Sequence, residues 1–181
     1  IDSYFEVSSV GLPKGMINRK DEEPKSKDDW GNAVSEIINN SPLFDIDISA
    51  SPFVFGDCDI EVIVKALENV DGEYNIVIAI TEDSIVDWQK NGSYDDSVYV
   101  HNHVLRAIIN NTWGENLKSS NNYTTNEEIN LSYSISISSL EQFNINHSTN
   151  ELFMGNGNTG AWDKNKLNIV AYIYLSLIHI S

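Results

Sequence analysis

Cysteine is nearly absent from this chain, since Cys58 is the only one among 181 residues. A single cysteine excludes an internal disulfide, and it excludes a Cys-x-x-Cys pair within these residues. Asp57 and Asp59 flank the thiol, and their negative charges disfavour the thiolate that a nucleophile needs. We therefore expect Cys58 to be structural.

Basic residues are also scarce: 11 lysines and arginines stand against 27 acidic residues, which gives a net charge of −16. This balance argues against nucleic acid and anionic lipid as partners, because both would be repelled. The last apolar stretch, Leu167 to Ile180, has about 14 residues and is interrupted by polar ones, so it is too short to span a bilayer. No basic segment followed by an apolar run marks a signal peptide.

Catalytic motifs are missing as well. The sequence has no Gly-x-Ser-x-Gly turn, no phosphate-binding glycine loop, and no set of His, Cys, Asp and Glu residues with convincing metal-site spacing. These absences favour a protein that is not an enzyme and that carries no cofactor and no metal.

The sequence does contain apolar alternation with a period of two, which is typical of strands with one buried face. The alternation occurs in residues 44–48, 60–64, 74–80, 129–137 and 167–173. Strands of this kind joined by turns predict a mainly β fold, an antiparallel β-sandwich. Residues 114–127 and 141–164 are rich in Asn, Ser, Thr and Gly, which predicts long surface loops.

A helical pattern precedes these strands. Apolar residues recur at spacings of three and four from Trp30 to Ile38. This spacing predicts a helix over residues 27–39. The change from helical to strand periodicity predicts a domain boundary near residues 40–43.

Residues 98–106 contain a His-x-His pair followed by an arginine. In one extended strand, His101 and His103 would share a face and Arg106 would lie on the opposite face. The two histidines could bind a metal, act as acid and base, or form hydrogen bonds at a polar strand face, but no third ligand has convincing spacing. We treat these three residues as candidate binding residues. We expect structural positions for the histidines and a carboxylate partner for Arg106.

Four tryptophans, Trp30, Trp88, Trp113 and Trp162, are spread along the chain. Exposed tryptophans can bind sugars, whereas a buried anchoring role is more common. We expect structural roles for Trp30, Trp88 and Trp162. A sugar site at Trp113, or a metal site at the two histidines, is the alternative.

Four segments together carry a family resemblance: residues 11–19, 30–34, 81–89 and 99–106. They include the strings Pro-Lys-Gly-Met-Ile-Asn-Arg and His-Asn-His-Val-Leu-Arg, and they resemble the Omp28-related outer-membrane proteins of Gram-negative bacterial envelopes. The strand at residues 168–174 is similar to one near that family's C-terminus. The ending from Leu175 departs from the family pattern and resembles translated sequencing-adaptor sequence.

The resemblance implies a thioredoxin-like domain followed by an immunoglobulin-like β-sandwich. Residues 1–41 would be the C-terminal part of the thioredoxin-like domain, and residues 42–181 would be the sandwich. Pro13 would occupy the cis-proline position of the first domain. Any redox cysteines would lie upstream of Ile1, so none is carried over to this chain.

The resemblance further implies a cell-envelope protein that is associated with the outer membrane, facing the periplasm or the surface, through a lipid anchor upstream of this segment. We therefore expect a non-catalytic binding or assembly role. The expected partner is another envelope protein or a surface glycan, and not nucleic acid. The alternative is part of a thiol–disulfide oxidoreductase whose redox cysteines lie upstream.

Overall fold

The computed structural model describes residues 14–18, 24–54, 56–150 and 162–176. Most of these residues lie in antiparallel strands, which confirms the predicted mainly β fold. Pro13 lies outside the described residues, so its cis peptide bond stays a prediction.

The described part contains thirteen short and long strands and two α-helices. The strands are β1 (Lys14–Gly15), β2 (Lys25–Ser26), β3 (Phe44–Ala50), β4 (Asp57–Ala66), β5 (Val70–Asp71), β6 (Tyr74–Glu82), β7 (Ile85–Asn91), β8 (Tyr94–His101), β9 (Val104–Ile108), β10 (Glu115–Asn116), β11 (Asn122–Tyr123), β12 (Glu128–Ser136) and β13 (Leu167–Leu175). The helices are α1 (Trp30–Ile38), which continues a 3-10 turn at Lys27–Asp29, and α2 (Ile137–Asn150). The helix predicted over residues 27–39 is therefore confirmed.

Two antiparallel sheets contribute to one hydrophobic core. The first sheet has the order β12-β4-β3, and the second has β6 at its centre, with β13 on one side and β9 and β10 on the other. Every second residue of β4 points into the core, from Cys58 to Ala66, and meets side chains of β6 such as Ile76 and Ile80. Cys58 is 2% exposed, and its thiol donates to the carbonyl of Ser51 at 3.2 Å. The alternation in the sequence therefore marks the inward faces of both sheets.

One side chain completes the second sheet where β9 and β10 leave a gap beside β6. Asn110 Oδ1 accepts from the backbone N–H of Ile78 at 3.0 Å, and Asn110 Nδ2 donates to the carbonyl of Ile76 at 3.0 Å. The same Nδ2 donates to Glu115 Oε1 at 3.2 Å. The amide of Asn110 thus takes the place of a peptide unit in the ladder.

A polar contact also joins the two sheets. The hydroxyl of Tyr133 on β12 donates to Glu115 Oε1 on β10. Burial, together with this bond to Glu115, raises the pKa of Tyr133 well above its ordinary value. The phenol therefore stays protonated and holds the edge of one sheet against the other.

The loop predicted over residues 141–164 is wrong in its first part, because α2 occupies Ile137–Asn150. The sequence does not predict this helix because two of its partly buried positions are polar. Glu141 accepts from the backbone N–H of Trp162 at 2.8 Å, and Asn144 donates to the carbonyl of Arg106 at 3.0 Å. Partners on distant elements satisfy these side chains, so the helix has no continuous apolar stripe.

Strands β1 and β2 pair with each other, and together with α1 they are called the N-terminal unit below. The indole of Trp30 donates to the carbonyl of Lys25 at 3.0 Å, and its ring lies against Gly15. A Cβ at Gly15 would lie 3.1 Å from that ring, so the close approach favours glycine. Within α1 only Ala33 is buried.

Candidate functional site

The predicted single strand over residues 98–106 is wrong. Strand β8 ends at His101 and pairs with β7, whereas β9 begins at Val104 and pairs with β6. His103 lies between them with φ of +56°, a left-handed conformation that turns the chain from one sheet into another. His101 and His103 therefore do not share one strand face.

The turn at His103 is bonded to Asp83, on the opposite side of the hairpin. The backbone N–H of His103 donates to Asp83 Oδ1 at 2.6 Å, and its Nδ1 lies 3.1 Å from the same oxygen. Asn168 donates to Asp83 Oδ2 at 3.0 Å, and the backbone N–H of Ser84 donates to Asn102 Oδ1 at 3.0 Å. The His103 hydrogen bond, above all, lowers the pKa of Asp83. The ionised carboxylate therefore closes the turn.

Arg106 forms a buried ion pair beside this turn. Its Nε lies 3.0 Å from Glu82 Oε2, and the two side chains are only 11% and 5% exposed. The guanidinium lies over the ring of Trp162, 5.0 Å from its centroid, and Glu82 Oε1 accepts from the backbone N–H of Asp163 at 3.0 Å. Arg106 thus has the carboxylate partner that we expected. Glu82, Asp83, His103 and Arg106 are called the hairpin base below.

Beyond the hairpin base, β7 and β8 form a two-stranded hairpin that exposes large apolar side chains. Val86 and Val100 lie opposite each other in the register, and alternation places Trp88 on the same face of β7 as Val86. The register shifts beside Trp88, where β8 has one extra residue at Ser97 and Val98, so Val98 lies in a bulge opposite Trp88. The exposed fractions of Val86, Val100, Trp88 and Val98 are 60%, 48%, 67% and 70%, in that order. These four residues are called the apolar stripe below.

The opposite face of the hairpin is more polar. Alternation places Asp87, Gln89 and His101 on that face, and His101 packs edge-to-face on Tyr99 with ring centroids 4.8 Å apart. The tip, around Gly92, is polar as well. The hairpin therefore has one apolar face and one more polar face, and polar residues border the apolar stripe.

The remaining predicted site residues lie apart from one another. Trp162 is buried at the hairpin base, Trp30 packs in the N-terminal unit, and Trp88 is mostly exposed on the hairpin. Among the described residues, no group of three His, Cys, Asp or Glu side chains is arranged to hold a metal ion. The structural roles assigned to the three tryptophans stay predictions.

The prediction from sequence missed Glu82, Asp83 and three residues of the apolar stripe as site residues. Glu82 and Asp83 lie inside the segment 81–89 that carried the family resemblance, but nothing local shows that their partners are Arg106 and His103. The alternation of valines around Tyr99 was visible. Its exposure was not, because an alternating strand is usually half-buried.

A family model described as outer membrane protein Omp28 matches residues 1–156, which include the whole hairpin. The chain belongs to the Omp28 family. This confirms the resemblance seen in the sequence, and it makes the Omp28 chain an outer-membrane-associated protein of the cell envelope. No curated protein and no solved structure matches the chain.

In the part of the Omp28 chain that the structure describes, neither helix has the length and apolar character needed to cross a membrane.

Proposed function

We propose that this Omp28 family member is a non-catalytic binding or assembly protein of the outer membrane, and that the hairpin β7–β8 is its binding element. The observation that carries the proposal is the apolar stripe. Soluble proteins rarely leave such a group of large apolar side chains together on their surface, and patches of this kind mark interaction sites.

The hairpin base supports the proposal because it holds the hairpin in a defined position. Asp83 closes the turn at His103, and Arg106 in the middle of β9 pairs with Glu82 at the end of β6. A binding element that is ordered before it meets its partner loses less conformational entropy on binding.

The domain organisation is part of the same proposal. The two sheets that share a core would be the immunoglobulin-like sandwich of residues 42–181. The unit of β1, β2 and α1 would be the end of a thioredoxin-like domain that covers residues 1–41. The change of periodicity near residues 40–43 and the separate packing of Trp30 support this division.

Replacing Val86 and Trp88 by serine tests the proposed function. The variant should fold like the wild type, because both side chains are mostly exposed, but it should lose its complexes in gently solubilised outer membranes. Native gel electrophoresis of the membrane extract measures those complexes. The double variant Val34→Ser/Val170→Ser is the control, since its valines are 43% and 42% exposed elsewhere on the chain. Complexes that survive in the hairpin variant would refute the proposal.

A further inference from the structure

We infer that the partner of the hairpin is a protein that adds an extended segment to β7–β8 as a further strand, with side chains that alternate between apolar and basic. This inference rests on the proposed function and specifies the chemistry of the partner. It follows from three properties of the hairpin: its edges, its periodicity and its charge.

The edges of the hairpin offer main-chain groups to another strand. Among the described residues, β7 and β8 pair only with each other, so each has an outer edge outside the ladder. Two-stranded hairpins are marginal sheets, and a third strand with a shared apolar face stabilises them. Strand addition at an exposed sheet edge is a general way for a protein to bind an extended peptide.

The periodicity defines which side chains the added strand needs. Apolar side chains occur at every second residue in both strands, at Val86 and Trp88 and again at Val98 and Val100. An added strand extends this surface only if its own apolar residues also alternate and face the same side. Its other residues then face the polar side of the hairpin.

The charge of the hairpin defines those other residues. Asp87 and Asp96 lie on that polar side, whereas Asp95 lies opposite Lys90, which is the single lysine or arginine of the hairpin. The whole chain has a net charge of −16. A second copy of this chain would bring the same negative charge to the interface and would be repelled. A partner with lysine or arginine would be attracted, so charge complementarity favours a basic partner over self-association.

A protein fits this surface better than a membrane does. The apolar stripe runs from the base of the hairpin to its middle, whereas the tip around Gly92 and Ser93 is polar and is followed by Asp95 and Asp96. Insertion of the tip into a bilayer would bury those carboxylates. An apolar centre that contains a tryptophan and has a polar rim is the anatomy of a protein–protein interface.

Two synthetic eight-residue peptides of identical composition test the inference. One alternates valine and lysine, and the other carries four lysines followed by four valines. Titration into the full chain at about 0.15 M salt, where distant charges are screened, is followed by NMR. We expect the alternating peptide to bind at least ~10-fold more tightly than the block peptide. Its shift changes should be confined to residues 85–101 and should be lost in Val86→Ser/Trp88→Ser.

Four results would overturn the inference. They are equal binding of both peptides, no binding of either, shift changes outside the hairpin, or binding that survives in the Val86→Ser/Trp88→Ser variant. Self-association that the variant abolishes would assign the surface to a second copy instead. Variant-sensitive binding to phosphatidylcholine vesicles or to a neutral oligosaccharide would assign it to a membrane or a glycan.

The outcome for the proposed function is read separately, from the native gels. Where the variant loses its envelope complexes but the peptides fail, the binding role of the hairpin stands and only the partner's chemistry is wrong. Where the variant keeps its complexes, the proposed function itself is refuted.

Discussion

Asn110 shows how much a single side chain contributes to this fold. Its amide bonds two main-chain groups of β6, the N–H of Ile78 and the carbonyl of Ile76, both at 3.0 Å. These bonds lie where the ladder of β6 with β9 ends at Ala79 and the ladder with β10 begins at Ile76, so the side chain fills the interval between the two strands. A buried main-chain group without a partner is costly, so this position has a strict requirement for an amide.

We expect Asn110→Ala to lower the free energy of unfolding by about 1–3 kcal/mol, because the backbone N–H of Ile78 loses its partner. Urea unfolding measures the change. Asn130→Ala, at an exposed position of β12, is the matched control and should change stability by no more than about 0.5 kcal/mol. A loss below that value for Asn110→Ala would show that water replaces the amide.

The ion pair of Arg106 and Glu82 gives a second prediction. Arg106→Leu leaves the carboxylate of Glu82 buried without its cation, which should cost about 3–5 kcal/mol. The double variant Glu82→Gln/Arg106→Leu should be more stable than Arg106→Leu alone. Glutamine has no charge to bury, and it can still accept from the backbone N–H of Asp163.

Chemical denaturation of the single and double variants measures this difference. Lys166→Gln, which breaks an exposed pair with Asp163 at 3.6 Å, serves as the control and should cost less than about 1 kcal/mol. Equal stability of the single and the double variant would mean that the buried charge is solvated in another way.

Among the secondary-structure elements, the long strands follow directly from the sequence. Strand β4 alternates between buried and exposed positions along nearly its whole length, because one face meets the core and the other meets solvent. Helix α2 and the break in the strand at His103 cannot be predicted from the sequence pattern. Glu141 and Asn144 are satisfied by residues far away in the sequence, and the apolar alternation continues past His103 although the backbone turns there.

The turn of the hairpin should depend on pH through Asp83. Its pKa is lowered in the folded chain, chiefly by the hydrogen bond from the backbone N–H of His103. Because folding lowers its pKa, ionised Asp83 stabilises the folded chain. This stabilisation is complete above the ordinary aspartate pKa of about 3.9, and it is lost as the pH falls through the lower pKa that Asp83 has in the folded chain. Acid should therefore loosen the hairpin at its base.

An NMR titration of the Asp83 carboxyl carbon and the His103 amide tests this expectation. Both signals should report one pKa that lies below the ordinary aspartate value. In Asp83→Asn the His103 amide should lose that acid transition. A titration of Asp83 at its ordinary value would contradict the geometry of the turn.

For the whole molecule, the net charge keeps apart surfaces that would otherwise associate. At pH 7 the charge of −16 opposes contact between apolar stripes of different copies. This repulsion disappears near the isoelectric point of about 4.3. Light scattering should therefore show the greatest self-association near that pH.

The variant Trp88→Ser/Val100→Ser should associate less at that pH than the control Val34→Ser/Val170→Ser. The first removes part of the apolar stripe, and the second removes exposed valines outside it. Equal scattering from both variants would locate the contact elsewhere on the surface.

The family and the β class of the molecule were visible in the sequence, whereas the composition of the site was only partly visible. Arg106 could be identified as a residue that needs a carboxylate. Its partners Glu82 and Trp162 could not, because they come from strands and turns that only the folded chain brings together. Local patterns record which face of a strand is buried, but they do not record which distant strand lies beside it.

The bonds of Asn110 have a consequence for producing this chain in a foreign host. Asn110, Asn111 and Thr112 fit the acceptor triplet for N-linked glycosylation. The nitrogen that would carry the sugar is Nδ2, which already donates to Ile76 and Glu115. In a eukaryotic secretory pathway, oligosaccharide transfer and folding would compete for this one atom. A glycosylated Nδ2 keeps a single N–H, so it could no longer donate to both Ile76 and Glu115.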